Sequence, residues 1–152
     1  MAALLAAADI CRLIPHAGSM CLLEQVMAWD ATSISCMTQT HRHADNPLRN
    51  AHGLPMSALI EYVAQAMAVH GCLIAKDAGT VMQAGYLVAL RDVSLRQGWL
   101  SDLDTALVIK AERLFVDGGN MIYNMVAPAG ELPLLTGRAS VVASFVSDEG
   151  NK

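Results

Sequence analysis

Apolar residues crowd together between Gly53 and Ala75, where Met56, Leu59, Ile60, Val63, Ala64, Met67, Leu73 and Ile74 leave little room for a solvated face. A helix apolar nearly all round is buried. Gly53-Leu54-Pro55 marks its start, with proline near the first turn where a missing N–H costs nothing. Lys76-Asp77-Ala78-Gly79 marks its end, and the spacing predicts a central helix over about 54–76. Ser57, Glu61 and Gln65 fall at i, i+4 and i+8 and form one polar line along it. The line reads either as the wall of a reaction site or as the wet edge of a core helix. Glu61 sharpens the choice, because a buried carboxylate must be paired, protonated or turned toward a cavity.

Elsewhere the pattern favours strands. Met20 to Trp29 and Thr32 to Thr40 flank Asp30-Ala31, a tight connection, and a polar loop follows from His41 to His52. After the helix, Gln83 to Val93, Thr105 to Val116, Met121 to Ala127 and Leu132 to Val146 are β-compatible. Asp117-Gly118-Gly119-Asn120 is a hairpin turn, since glycine supplies the positive φ that such turns need. Strands joined by hairpins make an antiparallel sheet, and one long helix covers one of its faces, an α+β arrangement. A short helix over 2–12 precedes this and a frayed tail over 147–152 ends it, all within one domain of 152 residues.

Composition adds constraints. The chain is 54% hydrophobic and 16% charged, so it has little charged surface and is expected to bury part of its exterior in an oligomer. A net charge of -4 without any Lys/Arg-rich run argues against nucleic-acid binding. Cys11, Cys21, Cys36 and Cys72 show no paired spacing and read as reduced thiols of a cytoplasmic protein. The first dozen residues lack the basic start of a signal peptide, and Glu61, Gln65 and His70 disqualify the central helix as a membrane span. His41 and His43 offer two metal ligands but no third at a sensible spacing, so no metal is expected. Ser57 lacks a nucleophile elbow, and no phosphate-binding glycine loop is present, so no cofactor is expected either. His70, among small helix residues, reads as a satisfied core histidine.

Three segments carry a family resemblance. Leu13-Ile14-Pro15-His16 followed by Met20 to Val26 resembles the opening of the β-hydroxyacyl-acyl-carrier-protein dehydratases. Glu61-Tyr62-Val63-Ala64-Gln65 looks like their central-helix signature, and Gly85-Tyr86-Leu87 followed by Arg91 is similar to their glycine-containing strand. The pattern is most like that of the dehydratase-like subunits of aryl-polyene pigment biosynthesis. The resemblance implies a dimeric hotdog fold and elimination of water from a 3-hydroxyacyl thioester carried by acyl carrier protein or coenzyme A. One departure is plain: where those enzymes place a Gly-His-Phe-Pro motif, this chain reads Asp45-Asn46-Pro47-Leu48-Arg49.

The implied chemistry needs a base near the α-carbon, an acid near the β-hydroxyl and donors on the thioester carbonyl. Glu61 is the implied acid, its pKa expected to rise with burial, and Gln65 would orient its carboxyl or the departing water. The N–H groups of Gly53 and Leu54, expected to be free at the helix start, would polarise the carbonyl. Three histidines compete as base: His16 in the matching family segment, His52 at the helix mouth and His43 in the polar loop. Each also has a plain structural role open to it, His16 bracing a turn and His52 capping the helix. The implied assembly is a homodimer, or a heterodimer with a paralogous dehydratase that leaves this chain a non-catalytic partner. An acyl-thioester hydrolase using Glu61 to activate water is the remaining alternative.

Overall fold

The computed structural model describes residues 4–14 and 20–148. A two-residue strand, β1 (Leu5–Ala6), leads into α1 (Ala7–Leu13), followed by β2 (Gln25–Trp29) and β3 (Ser33–Thr38). The central helix α2 (Leu59–Asp77) precedes four long strands: β4 (Thr80–Leu95), β5 (Leu107–Asp117), β6 (Asn120–Ala127) and β7 (Leu135–Ser147). They form one antiparallel sheet in the order β1-β2-β3-β5-β6-β7-β4. The chain therefore crosses the whole sheet after α2, lays down β4 at the far edge, and returns. Helix α2 packs against β3, β4, β5 and β6, and the sheet around one central helix is the hotdog fold.

Alternation fills the space between helix and sheet. Ile34, Cys36 and Thr38 of β3, Leu107, Ile109 and Ala111 of β5, and Met121, Tyr123, Met125 and Ala127 of β6 are all buried. Their period of two is what a half-buried strand requires. From α2, Leu59, Tyr62, Val63, Ala66, Met67, Val69 and Leu73 complete the core. Met56 to Asp77 is long and apolar enough to cross a membrane, but 67% of its most apolar window is buried inside the fold, as in a core helix. Strand β4 differs: it has a single neighbour, β7, and Tyr86 and Val88 are 67% and 61% exposed.

Several boundaries move, each for a local reason. The first helix begins at Ala7 rather than residue 2, because Leu5 and Ala6 pair with Val26 and Gln25. The strand expected from Met20 begins at Gln25, since Met20 and Leu22 give their backbone groups to side chains instead. The central helix begins at Leu59, after a 3-10 turn at Met56–Ala58. Leu54 is held extended by the Leu100 N–H on its carbonyl (2.8 Å), and Pro55 bridges to Trp99. Its end is as expected: Gly79 takes a φ of 75° and its N–H caps the Lys76 carbonyl. The last strand starts at Leu135, past Pro133, and includes Ser147, while residues 149–152 lie outside the described residues.

The cysteine reading needs correction. Cys11 in α1 and Cys21 are joined in a disulfide across ten residues of sequence. Their spacing carries no motif, so the pairing became visible only once the fold brought α1 beside the segment leading to β2. Cys36 and Cys72 remain thiols, as expected. Burial pushes the Cys36 thiol up to about 12.

Candidate active site

Gln65 is the organising side chain. It is buried, and its carboxamide makes three hydrogen bonds. Its Oε1 accepts from the Leu22 N–H (2.9 Å), while Nε2 donates to the Met20 carbonyl (2.7 Å) and to Glu61 Oε1 (3.1 Å). With one acceptor and two donors satisfied, the amide has a fixed orientation. The side chain thus ties the backbone on either side of Cys21 to α2 and holds the Glu61 carboxylate. Glu61 is half-buried rather than enclosed, and Ser57, a turn earlier, is exposed. The polar line of the sequence is therefore a gradient from solvent to core.

Glu61 borders a cavity of about 170 Å³. Ala64, Met67 and Ala68 form its helix wall, Met82, Gly85, Tyr86 and Leu87 of β4 one strand wall, and Met121 with Val141 and Ala143 the floor. Apart from Glu61 the lining is almost wholly apolar, so the space suits a hydrocarbon chain whose polar end lies at the carboxylate. None of Tyr86, Leu87, Met82 or Met121 stands out in the sequence as a site residue. Only the Gly85-Tyr86-Leu87 motif pointed to this strand.

The expected carbonyl donors are not free. The Gly53 N–H donates to the Asn50 carbonyl (3.2 Å) and the Leu54 N–H to Ser101 Oγ (3.0 Å). Gly53 takes a φ of 128°, and a Cβ there would lie 2.7 Å from Ser101 Oγ. Glycine is needed here for backbone shape and for the close approach of Ser101. His52 is exposed, with its ring centroid 6.2 Å from that of Trp99, and its N–H donates to Asn50 Oδ1. It does not cap α2, which begins seven residues later. His16 lies outside the described residues. His43 is exposed and borders a small cleft of about 110 Å³ with Cys21, Thr40, Asp45, Asn46 and Pro47. No histidine among the described residues lines the cavity beside Glu61.

The loop that departs from the dehydratase motif is firmly built. Asn46 Nδ2 donates to the Tyr62 hydroxyl (3.0 Å) and to the Thr40 carbonyl (3.0 Å), and its Oδ1 accepts from the Leu48 N–H (2.9 Å). Thr38 and Thr40 both donate to the Leu22 carbonyl at 2.7 Å, so Thr40 Oγ1 accepts from Tyr62, 2.8 Å away. A continuous network runs from Asn46 through Tyr62, Thr40, Leu22 and Gln65 to Glu61. Burial raises the Tyr62 phenol, which keeps it a neutral donor. His70 is buried: Nε2–H donates to the Asp30 carbonyl (2.8 Å), leaving Nδ1 to accept from the Tyr123 hydroxyl (2.6 Å). Burial lowers the pKa of His70 and of His41, whose Nε2 faces the Leu103 carbonyl. Among the described residues no cluster of His, Cys, Asp or Glu could hold a metal ion.

Known proteins share this fold. A chain of the dehydratase heterocomplex ApeI:P from Xenorhabdus doucetiae superposes with a TM-score of 0.75 at 26% identity, over 89% of this chain and 90% of that one. AziG from S. sahachiroi (TM-score 0.63, 14% identity, 89% and 100% covered) shares the fold. So does the thioesterase SAV0944 from Staphylococcus aureus subsp. aureus Mu50 (TM-score 0.58, 9% identity, 78% and 91% covered). A comparison with curated protein sequences finds no match. The family model described as ApeP dehydratase matches residues 8–147, and with the cavity, the Glu61–Gln65 pair and the sheet around one helix in place, the chain belongs to the ApeP-like dehydratase family.

Proposed function

We propose that this chain is a subunit of a 3-hydroxyacyl-thioester dehydratase, working on acyl groups tethered to acyl carrier protein. The observation that carries the reading is Glu61, held by Gln65 at the mouth of an apolar cavity. The acyl chain enters the cavity and its β-hydroxyl meets the Glu61 carboxyl. A base takes the α-proton, the electron pair forms the α–β double bond, and the hydroxyl leaves with a proton from Glu61 as water. The product is a trans-2-enoyl thioester. Gln65 orients the carboxyl, and Ser57 lies on the exposed side from which the thioester arrives. Gly53 and Leu54 shape the backbone at that entrance, their N–H groups being engaged within the chain.

The base comes from outside the described part of the cavity wall. His16 is the first candidate, and His52, exposed at the entrance, is the second. A histidine from a second hotdog chain paired along β4 is the third source. The ApeI:P structure, described as a heterocomplex, favours a paralogous dehydratase as that partner over a homodimer. We place the assembly in the cytoplasm.

The test is dehydration of a 3-hydroxyacyl carrier protein followed by mass spectrometry, with this chain alone and beside a dehydratase paralogue. Glu61→Gln should slow water loss at least about 100-fold, the usual weight of a positioned general acid. Loss of activity in His16→Ala of the isolated chain would assign the base within it. Activity only beside the paralogue, unaffected by Glu61→Gln, would leave this chain a non-catalytic partner. Release of free thiol without water loss would establish a hydrolase instead.

A further inference from the structure

Met82 is one of the side chains that line the cavity beside Glu61, and it also reaches the helix. Met82 starts from β4 and lies between two glycines, one on the helix and one on its own strand. A Cβ on Gly71 of α2 would come 2.4 Å from Met82 Cε, and a Cβ on Gly85 would come 3.2 Å from Met82 Sδ. The thioether therefore spans from the strand to the helix surface and fills the gap that Gly71 leaves. Gly71 lies ten residues beyond Glu61, about 15 Å along the helix axis at 1.5 Å a residue. Between these two points the walls are small on one side, with Ala64, Ala68 and Gly85, and the remaining space is about 170 Å³.

We propose that Met82 is the residue that sets acyl chain length, by ending the pocket that begins at Glu61. The inference rests on the reading above, in which the acyl group enters beside Glu61. An unbranched thioether suits this position because it changes rotamer at low cost, so the end of the pocket yields slightly to an oversized chain without opening the core. Gly71 is the counterpart: any side chain there displaces the methionine methyl group toward the cavity.

The experiment measures binding of saturated acyl-pantetheine amides of graded chain length by calorimetry, using the chain together with its dehydratase paralogue. These ligands can be neither dehydrated nor hydrolysed. For the wild type, affinity should rise with length and break once the pocket is full. Met82→Ala should move that break outward by about three chain atoms, the number of heavy atoms removed. Gly71→Ala should move it inward. The dehydration profile on 3-hydroxyacyl carrier proteins should shift the same way. An unchanged break in both variants, each folded by its thermal transition, overturns the role of Met82 and leaves the site intact. Absence of length-dependent binding to the wild type overturns the acyl reading itself, and this inference with it.

Discussion

His70 and Gln65 show how two polar side chains inside an apolar helix divide between structure and chemistry. His70 is held neutral: its folded pKa lies below the ordinary 6.5 because burial disfavours the charged form. As the pH falls through about 6.5, the unfolded chain takes up a proton that the folded chain refuses, so stability declines toward acid. Stability is fully present above that pH and is lost below it. His70→Leu should therefore flatten the acid side of a plot of Tm against pH. It should also lower stability near neutrality, because the Tyr123 hydroxyl and Asp30 carbonyl lose their partner, each at about 1–3 kcal/mol if it stays buried. Gln65→Leu removes three hydrogen bonds at once, two of them to backbone. We expect a loss of about 2–4 kcal/mol in denaturant unfolding, and a fall in dehydration exceeding that of any variant equally destabilised elsewhere in the core. The sequence made Glu61 and Gln65 conspicuous because polarity inside an apolar run is easy to see. It hid Met82, Tyr86 and Leu87, because apolar residues on a strand look alike until a cavity separates wall from core. It also misled on Gly53 and Leu54, whose donors are taken by Asn50 and Ser101, the latter 47 residues away.

Among the elements, β4 is the least self-sufficient. Its sixteen residues pair on one side only, and its exposed apolar positions include Val81, Tyr86, Leu87, Val88 and Leu90. Such an edge calls for another strand. Val88 is 61% exposed, so Val88→Lys should leave the fold of the chain intact. On the proposed assembly along β4, it should leave single chains in sedimentation and lower the proposed dehydratase activity, since the cavity wall from Gly85 to Leu87 lies on the same strand. That the segments of β3, β5 and β6 are strands was readable from residue types alone. The start of β2 was not, because side chains from α2 and β3 claim the backbone of Met20 and Leu22. Those bonds join segments far apart in sequence, and no local pattern announces them.

At the scale of the molecule, the order of elements is what the sequence carried best: strands, a buried helix, then an antiparallel run. Turn chemistry at Asp117 to Asn120 and at Gly79 fixed the connections. What the chain alone could not reveal is which groups meet across the fold, the Cys11–Cys21 bond being the plainest case. The one-sided pairing of β4 has a consequence for how the protein is made. A newly made chain carries this long apolar edge uncovered until another strand or surface meets it, and an uncovered edge is a template for wrong pairing. Chains that stay unpaired are therefore the ones exposed to aggregation, and the yield of folded protein should depend on how quickly the β4 edge is covered.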